Sequence, residues 1–338
     1  MRTPNIAIRS ILRKKLYPPD FYGKIFELFG RPFTKGYENK ERRRWNNVQV
    51  DGNPIFIIGP PRSGSTVLYQ LLVATLPVLY ISNFTHIFAS SLFTGFRLQK
   101  KYLKGKEVNL QSKLGGTINE GWHAPSECGR FWYRYLPHSE HAISPKDVSK
   151  EGKQFIGDYL NGLANKYQQP MLIKNLNASV RLDLLDELFP TARYLYIYRD
   201  PYYNAQSVYL ARKKIGIGFG EWWSVKPEGW SRLLSLSEEK MVVEQCRLIE
   251  NSILVRRKNE LCGRIFSVAY EDLINNPEEK IEQIAGFCML PQPTIRRGIK
   301  AQLKISNKQR LDAEIAAKLS KAIEESGWEK MRRTFNVG

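Results

Sequence analysis

The sequence predicts an α/β fold in which a mainly parallel sheet carries helices on both faces. Three observations lead there. Short continuous apolar runs recur along the chain, the pattern of strands buried on both sides. Each run passes through a turn into a segment whose apolar residues repeat at helical spacing, so strands and helices alternate. The first of these turns, Gly59 to Ser65, is a Gly, Pro and Ser turn set between a buried strand and a helix.

The elements follow in order. Ile55, Phe56, Ile57 and Ile58 form the first strand, and Val67, Leu68, Leu71 and Leu72 mark a helix starting at Thr66. A second unit runs from Met171, Leu172 and Ile173 through Lys174 and Asn175 into a helix carrying Leu182, Leu184, Leu185 and Leu188. In the third, Tyr194 to Tyr198 is the strand, Arg199, Asp200 and Pro201 the turn, and Asn204 to Lys213 the helix, with Pro201 near its start. A fourth strand is expected at Ile265 to Ala269, followed by a helix from Pro277 to Cys288. About a hundred residues rich in Trp, Tyr, Gly and His separate the first two units, and Ile215 to Gly229 is a second irregular stretch. Long insertions at the strand ends of such a sheet build acceptor pockets and lids, so the acceptor site is expected there.

Composition narrows the function classes. With 338 residues, 42% of them hydrophobic and 12% aromatic, the chain buries a real core, which excludes disorder and fibrous repeats. Its 52 Lys and Arg against 33 Asp and Glu give a formal charge of +19, which attracts nucleic acid, anionic lipid, acidic glycans or phosphorylated cofactors without choosing among them. Cys128, Cys246, Cys262 and Cys288 form no CxxC pair, so neither a disulfide framework nor a zinc site is expected, and a reducing, cytoplasmic compartment is. No stretch reaches the roughly 18 apolar residues of a membrane span, and no leader-like apolar run follows Arg9, Arg13, Lys14 and Lys15. Residues 1–50 form a basic extension, with 12 Lys and Arg against 4 Asp and Glu and the run Lys40, Glu41, Arg42, Arg43, Arg44. Peripheral contact with a membrane surface or an acidic substrate is one reading; a solvated face is the ordinary one. Ile8, Ile11, Leu12 and Leu16 fall at the spacing of a short amphipathic helix.

Gly59, Pro60, Pro61, Arg62, Ser63, Gly64, Ser65 and Thr66 keep the spacing of a GxxxxGK[ST] phosphate loop, with Ser65 where the lysine would stand. Between strand and helix, such a loop aims backbone N–H groups and the positive end of a helix at an anion, so a P-loop-like sheet that binds phosphate is expected. The plain alternative is a tight turn without ligand. In nucleotide hydrolases the lysine reaches the terminal phosphates and a strand-end carboxylate helps to hold Mg²⁺. Here Lys174 and Arg199 stand at strand tips instead. Cationic side chains can neutralise phosphates without a metal, and none is expected.

Three blocks stand in order: PRSGST at Pro61 to Thr66, YRDPYYNAQSVY at Tyr198 to Tyr209, and YEDLINNP at Tyr270 to Pro277. Together they resemble the sulfotransferase superfamily, which uses 3′-phosphoadenosine 5′-phosphosulfate (PAPS). The resemblance covers roughly residues 54 to 290 and implies a single sulfotransferase domain over 51–338. It implies that Arg62, Ser63, Gly64, Ser65 and Thr66 hold the 5′-phosphosulfate, and that Arg199 and Ser207 hold the 3′-phosphate. For Tyr270 it implies contact with the adenine, beside the equal alternative of a core aromatic. The C-terminal RKG…GDW pattern of cytosolic members is absent, which leaves Lys304, Ser306 and Lys308 as weaker candidates for the 3′-phosphate.

Cytosolic small-molecule members carry a histidine base soon after a strand-end lysine, whereas this chain reads Lys174, Asn175, Leu176, Asn177. Lys174 keeps the cation. The segment Trp122 to Arg130 resembles the family's other solution, a carboxylate in a Pro-x-Glu context found in tyrosylprotein and bacterial members, which implies Glu127 as base and His123 as its runner-up. Pairing of Glu127 with Arg130 at helical spacing is the alternative reading of that carboxylate. Phe131, Trp132, Tyr133 and Tyr135 either stack on a flat acceptor or fill the core. The expected reaction moves a sulfuryl group from PAPS to a hydroxyl of a carbohydrate or glycolipid, with a small phenol or lipid alcohol as the other acceptor class. The rival readings are a nucleotide-dependent kinase or NTPase, weakened by Ser65, and a basic nucleic-acid-binding protein, for which no reading motif is present.

Overall fold

Four parallel strands form one sheet in the order β2–β1–β3–β4. The computed structural model describes residues 19–46, 53–103, 110, 117, 120–295 and 300–337, so the helix expected around Ile8 to Leu16 lies outside the described residues. In chain order the elements are α1 (Pro19–Ile25), α2 (Arg31–Trp45), β1 (Ile55–Ile58), α3 (Ser65–Thr75), α4 (Asn83–Ile87), α5 (Leu92–Tyr102), α6 (Gly129–Trp132), α7 (Lys150–Tyr167), β2 (Leu172–Lys174), α8 (Leu182–Leu188), β3 (Arg193–Tyr198), α9 (Pro201–Ile215), α10 (Glu238–Lys258), β4 (Ile265–Ala269), α11 (Tyr270–Asn275), α12 (Pro277–Phe287), α13 (Ala313–Ser326) and α14 (Trp328–Thr334).

β1 is buried at every position and alternates its side chains between two cores. Phe56 and Ile58 join Tyr194 and Tyr196 on one face, while Ile55 and Ile57 join Leu195, Ile197 and Leu68 on the other. That two-sided burial is why the strand reads as an unbroken apolar run. Ile57 pairs with Lys174, Ile58 with Tyr196, and Tyr198 with Ala269. The loop after β1, the β2 tip at Lys174, Arg199 after β3 and Tyr270 after β4 therefore meet at the carboxyl edge of the sheet. Because the chain leaves β1 for β2 on one side and continues to β3 on the other, a crevice opens at this switch point.

The described residues of the long insertion form α4 to α7 between irregular stretches, and its aromatics divide. Phe131 and Trp132 are buried in the core with Phe155, Tyr159 and Phe93. This removes both from any acceptor-stacking role, since the helical α7 needs large apolar partners to cover its inner face. Tyr133 is only half-buried. Behind the sheet, the fully buried Glu250 accepts from Trp328 Nε1 (2.6 Å) and from Arg332 Nε (2.8 Å) and Nη2 (2.6 Å). Burial alone would lower the Arg332 pKa, but the Glu250 carboxylate outweighs it and raises it. Arg332 also donates to the Arg199 carbonyl at 2.7 Å, which ties the C-terminal helices to the turn after β3.

Candidate active site

The loop after β1 is held in a shape few sequences can adopt. Gly59 has φ +150°, and a Cβ there would stand 2.3 Å from the Ile197 carbonyl. Gly64 has φ +99°, and a Cβ there would meet the Tyr270 ring at 2.4 Å. Left-handed backbone at Gly64 lets α3 begin at Ser65, one residue earlier than the apolar spacing indicates. Ser179 clamps the loop's start, accepting from the Gly59 N–H at 2.9 Å and donating to the Gly59 carbonyl at 3.1 Å. Asn204, on α9, donates to the Pro61 carbonyl at 2.7 Å.

Around this loop the strand-tip residues converge on a cavity of about 700 Å³, lined among others by Arg62, Ser65, Thr66, Glu127, Lys174, Arg199, Tyr270, Lys304 and Ser306. Arg62 Nε donates to Ser207 Oγ at 3.1 Å, joining the first and second sequence blocks across 145 residues. Arg199 donates through Nη2 to Ser306 Oγ (3.0 Å) and to Asn307 Oδ1 (2.7 Å). Its guanidinium lies 4.8 Å from the centre of the Tyr270 ring. The neighbouring Asp200, not Arg199, caps α9, accepting from Tyr203 N at 3.1 Å. Tyr270 is buried under the loop, with its hydroxyl 3.1 Å from Ser306 Oγ. Its contacts are to the loop, to Arg199 and to Ser306, and it lines the cavity.

Burial lowers the pKa values of both Arg62 and Arg199, and the charge of Arg310 pushes each in the same direction. Both remain guanidinium ions at neutral pH. Ser63 Oγ is buried without a hydrogen-bond partner among the described residues. Cations that repel one another, an orphaned hydroxyl and two glycines with no room for a side chain fit a bound polyanion, which would relieve the repulsion and accept from the hydroxyl.

On the opposite wall Lys174, only 4% exposed, pairs with Glu127, whose carboxylate is 46% exposed. The ammonium also donates to Thr66 Oγ1 at 3.1 Å. Arg130 does not compete for Glu127, because it pairs with Glu27 of the segment after α1. His123 does not reach the cavity. The backbone of Trp122 and Ala124 accepts from Phe84 and Asn83, and this pinning leaves His123 against Tyr80, whose hydroxyl donates to the His123 carbonyl at 3.0 Å.

Asn177 and His141 read locally as ordinary polar residues, yet the structure joins both to Tyr133. Asn177 Nδ2 donates to the Tyr133 hydroxyl at 2.6 Å, and His141 Nε2 lies 3.2 Å from the same oxygen. His141 Nδ1 accepts from the Lys226 backbone N–H at 3.0 Å. Burial first, then the charges of Arg181 and Lys226, push the His141 pKa down to about 4. A neutral ring accepting at Nδ1 carries its proton on Nε2 and donates it to Tyr133, which leaves the tyrosine's own proton free for the cavity.

Residues 54–294 match the model of the Sulfotransferase family. The curated relatives named omega-hydroxy-beta-dihydromenaquinone-9 sulfotransferase Stf3, from Mycobacterium bovis and Mycobacterium tuberculosis, are each 23% identical over 270 residues, 72% of this chain. The aligned part spans 64% of those relatives, less than two thirds of their length. The crystal structure of sulfotransferase STF9 from Mycobacterium avium shares the fold, with a TM-score of 0.57 and 18% identity over 90% of this chain and 82% of that one. The family match runs from just before β1 to just past α12 and takes in all four strands: the chain belongs to the Sulfotransferase family.

Proposed function

We propose that this chain transfers a sulfuryl group from PAPS to an acceptor hydroxyl. The observation that carries the reading is the position of Lys174, bonded at once to Thr66 of the anion loop and to the Glu127 carboxylate. One cation thereby stands between the donor's loop and a base. Arg62 and Ser63 to Thr66 would hold the 5′-phosphosulfate, and Arg199 and Ser207, with Lys304 and Ser306 beside them, the 3′-phosphate.

In the transfer, the acceptor oxygen forms a bond to sulfur as the bond from sulfur to the bridging phosphate oxygen breaks. The acceptor proton passes to Glu127, and adenosine 3′,5′-bisphosphate leaves. Lys174 compensates the charge that grows on the bridging oxygen, while Arg62 and the loop N–H groups stabilise the phosphate. The cations at the strand tips serve in place of a metal.

A second cavity of about 210 Å³ shares Thr66, Glu127, Gly129 and Lys174 with the first and reaches past Tyr69, Pro125 and Cys128 to Asp20. Its place beside Glu127 and Lys174 makes it the acceptor side in this reading, and Tyr69, Pro125 and Cys128 along it offer apolar contacts to an amphiphile. The relatives' named substrate, an omega-hydroxy dihydromenaquinone, is an alcohol on a lipid. An amphiphile's hydroxyl, on a lipid or a glycolipid, is therefore the acceptor class proposed, ahead of free carbohydrate.

The test is transfer of radiolabelled sulfate from PAPS to a panel of prenyl alcohols, glycolipids, free glycans and phenols, with and without EDTA. Transfer to the amphiphiles, undiminished by EDTA, is expected. Tighter binding of ATP with Mg²⁺ than of PAPS, and no sulfate transfer to any member, would overturn the reading in favour of a nucleotide-dependent kinase.

A further inference from the structure

The helical arm of α1 and α2 is inside out. Its backbone stays right-handed helical through the π-helical turn Phe26–Gly30, so residues 19–45 run as one arm. All four of its carboxylates turn towards the domain. Asp20 lies 3.1 Å from His86 Nε2, Glu27 pairs with Arg130 and Arg134, and Glu41 pairs with Lys166. Glu38 is buried, accepting from Thr94 N at 2.7 Å and from the Tyr159 hydroxyl at 3.0 Å.

The outer face carries what a soluble helix hides. Phe21, Ile25, Leu28, Phe29 and Phe33 repeat every three or four residues along it. Leu28 is 72%, Phe29 71% and Phe33 89% exposed. Lys24, Arg31, Lys35, Lys40, Arg43 and Arg44 are exposed on the same arm, outnumbering its carboxylates; the two nearest, Asp20 by Lys24 and Glu41 by Arg44, are themselves engaged by His86 and Lys166 of the domain. An apolar stripe among exposed cations in excess is the pattern of a helix lying in the headgroup layer of a membrane.

We propose that this arm seats the protein on an anionic lipid bilayer, with the stripe among the acyl chains and the cations at the headgroups. Charge selects this occupant over the alternatives. A second copy docked face to face would set cation against cation, and residues 1–18, with five basic residues and no acidic one, carry the same sign. The arm also walls the second cavity through Asp20, so a seated arm brings that cavity to the bilayer surface. The proposal does not rest on the chemistry assigned to the site.

The experiment is flotation of the full chain with phosphatidylcholine vesicles, with and without phosphatidylglycerol, at low and high salt. Binding to the anionic vesicles alone, weakened by salt, is expected. The double variant Phe29→Ser, Phe33→Ser should bind about tenfold more weakly or worse. The triple variant Lys24→Glu, Arg31→Glu, Lys35→Glu should lose about a hundredfold, at roughly 1 kcal/mol per basic residue near such a surface. All substituted side chains are exposed, so circular dichroism should show both variants folded. The proposal fails if the chain stays unbound, or if both variants float as the parent does, which would assign binding to residues 1–18. It also fails if the parent is a dimer in solution and the Phe variant a monomer, because the stripe would then be covered by a second copy.

Discussion

The buried ammonium of Lys174 is paired with the half-exposed carboxylate of Glu127, although 47 residues separate them in sequence. The pair joins the sheet to the insertion, and the two partners stand in different surroundings. Glu127 reaches solvent at the cavity wall, whereas Lys174 is buried against Thr66 of the loop. In the proposed reaction, a donor anion that drew the lysine towards itself would free the carboxylate to take a proton.

Glu127→Gln keeps the shape and a carbonyl acceptor for Lys174 but cannot take up a proton. Turnover should fall by about a hundredfold or more while PAPS affinity, measured by calorimetry, stays as in the parent. His123→Gln should cost little, because His123 lies away from the cavity. Full activity in folded Glu127→Gln with activity lost in His123→Gln would reverse the assignment.

Lys174→Met should lower turnover by about a hundredfold and donor affinity much less, since the charge it answers develops during transfer. The half-exposed Glu127 remains solvated, so the variant should fold. A defect confined to donor binding would make Lys174 a ground-state ligand.

Arg199→Ala removes a guanidinium that now holds Ser306 and Asn307. Loss of its charge-assisted contacts should weaken binding of adenosine 3′,5′-bisphosphate by about 1.5 to 3 kcal/mol, roughly tenfold to a hundredfold. Ser207→Ala should cost less, being a neutral hydroxyl that already accepts from Arg62. Binding of adenosine 5′-phosphosulfate, which lacks the 3′-phosphate, should change least; an equal loss for both ligands would place Arg199 elsewhere.

His141 gives stability a pH dependence of known sign. Its imidazole protonates near the ordinary 6.5 in the unfolded chain but only near 4 in the fold. Between those values only the unfolded state takes the proton, so this contribution is lost as pH falls from 6.5 towards 4 and levels off below. His141→Asn removes it. Urea unfolding at pH 7 and pH 5 should show a larger drop for the parent than for the variant, and equal drops would mean that His141 titrates normally.

The four strands, the helices after them and the phosphate loop were legible in the sequence because each depends on local pattern. A strand buried on both faces must be apolar throughout, and a loop that excludes a Cβ at Gly59 and Gly64 must place glycine there. Lys174 and Arg199 could be put at strand tips for the same reason. What only the tertiary structure decided are relations across long separations. Ser179 clamps Gly59 from 120 residues away and Asn204 holds Pro61 from 143, yet each reads locally as an ordinary polar residue. Of two residues four apart, Glu127 lines the cavity and His123 does not, and Phe131 and Trp132 fill the core while Tyr133 lines the site. The apolar spacing of Phe21 to Phe33 would suit a helix packed inwards, but the paired carboxylates of the other face take that place and turn it outwards. Spacing in sequence sets which residues share a face; the partners waiting on the rest of the fold set which face is buried.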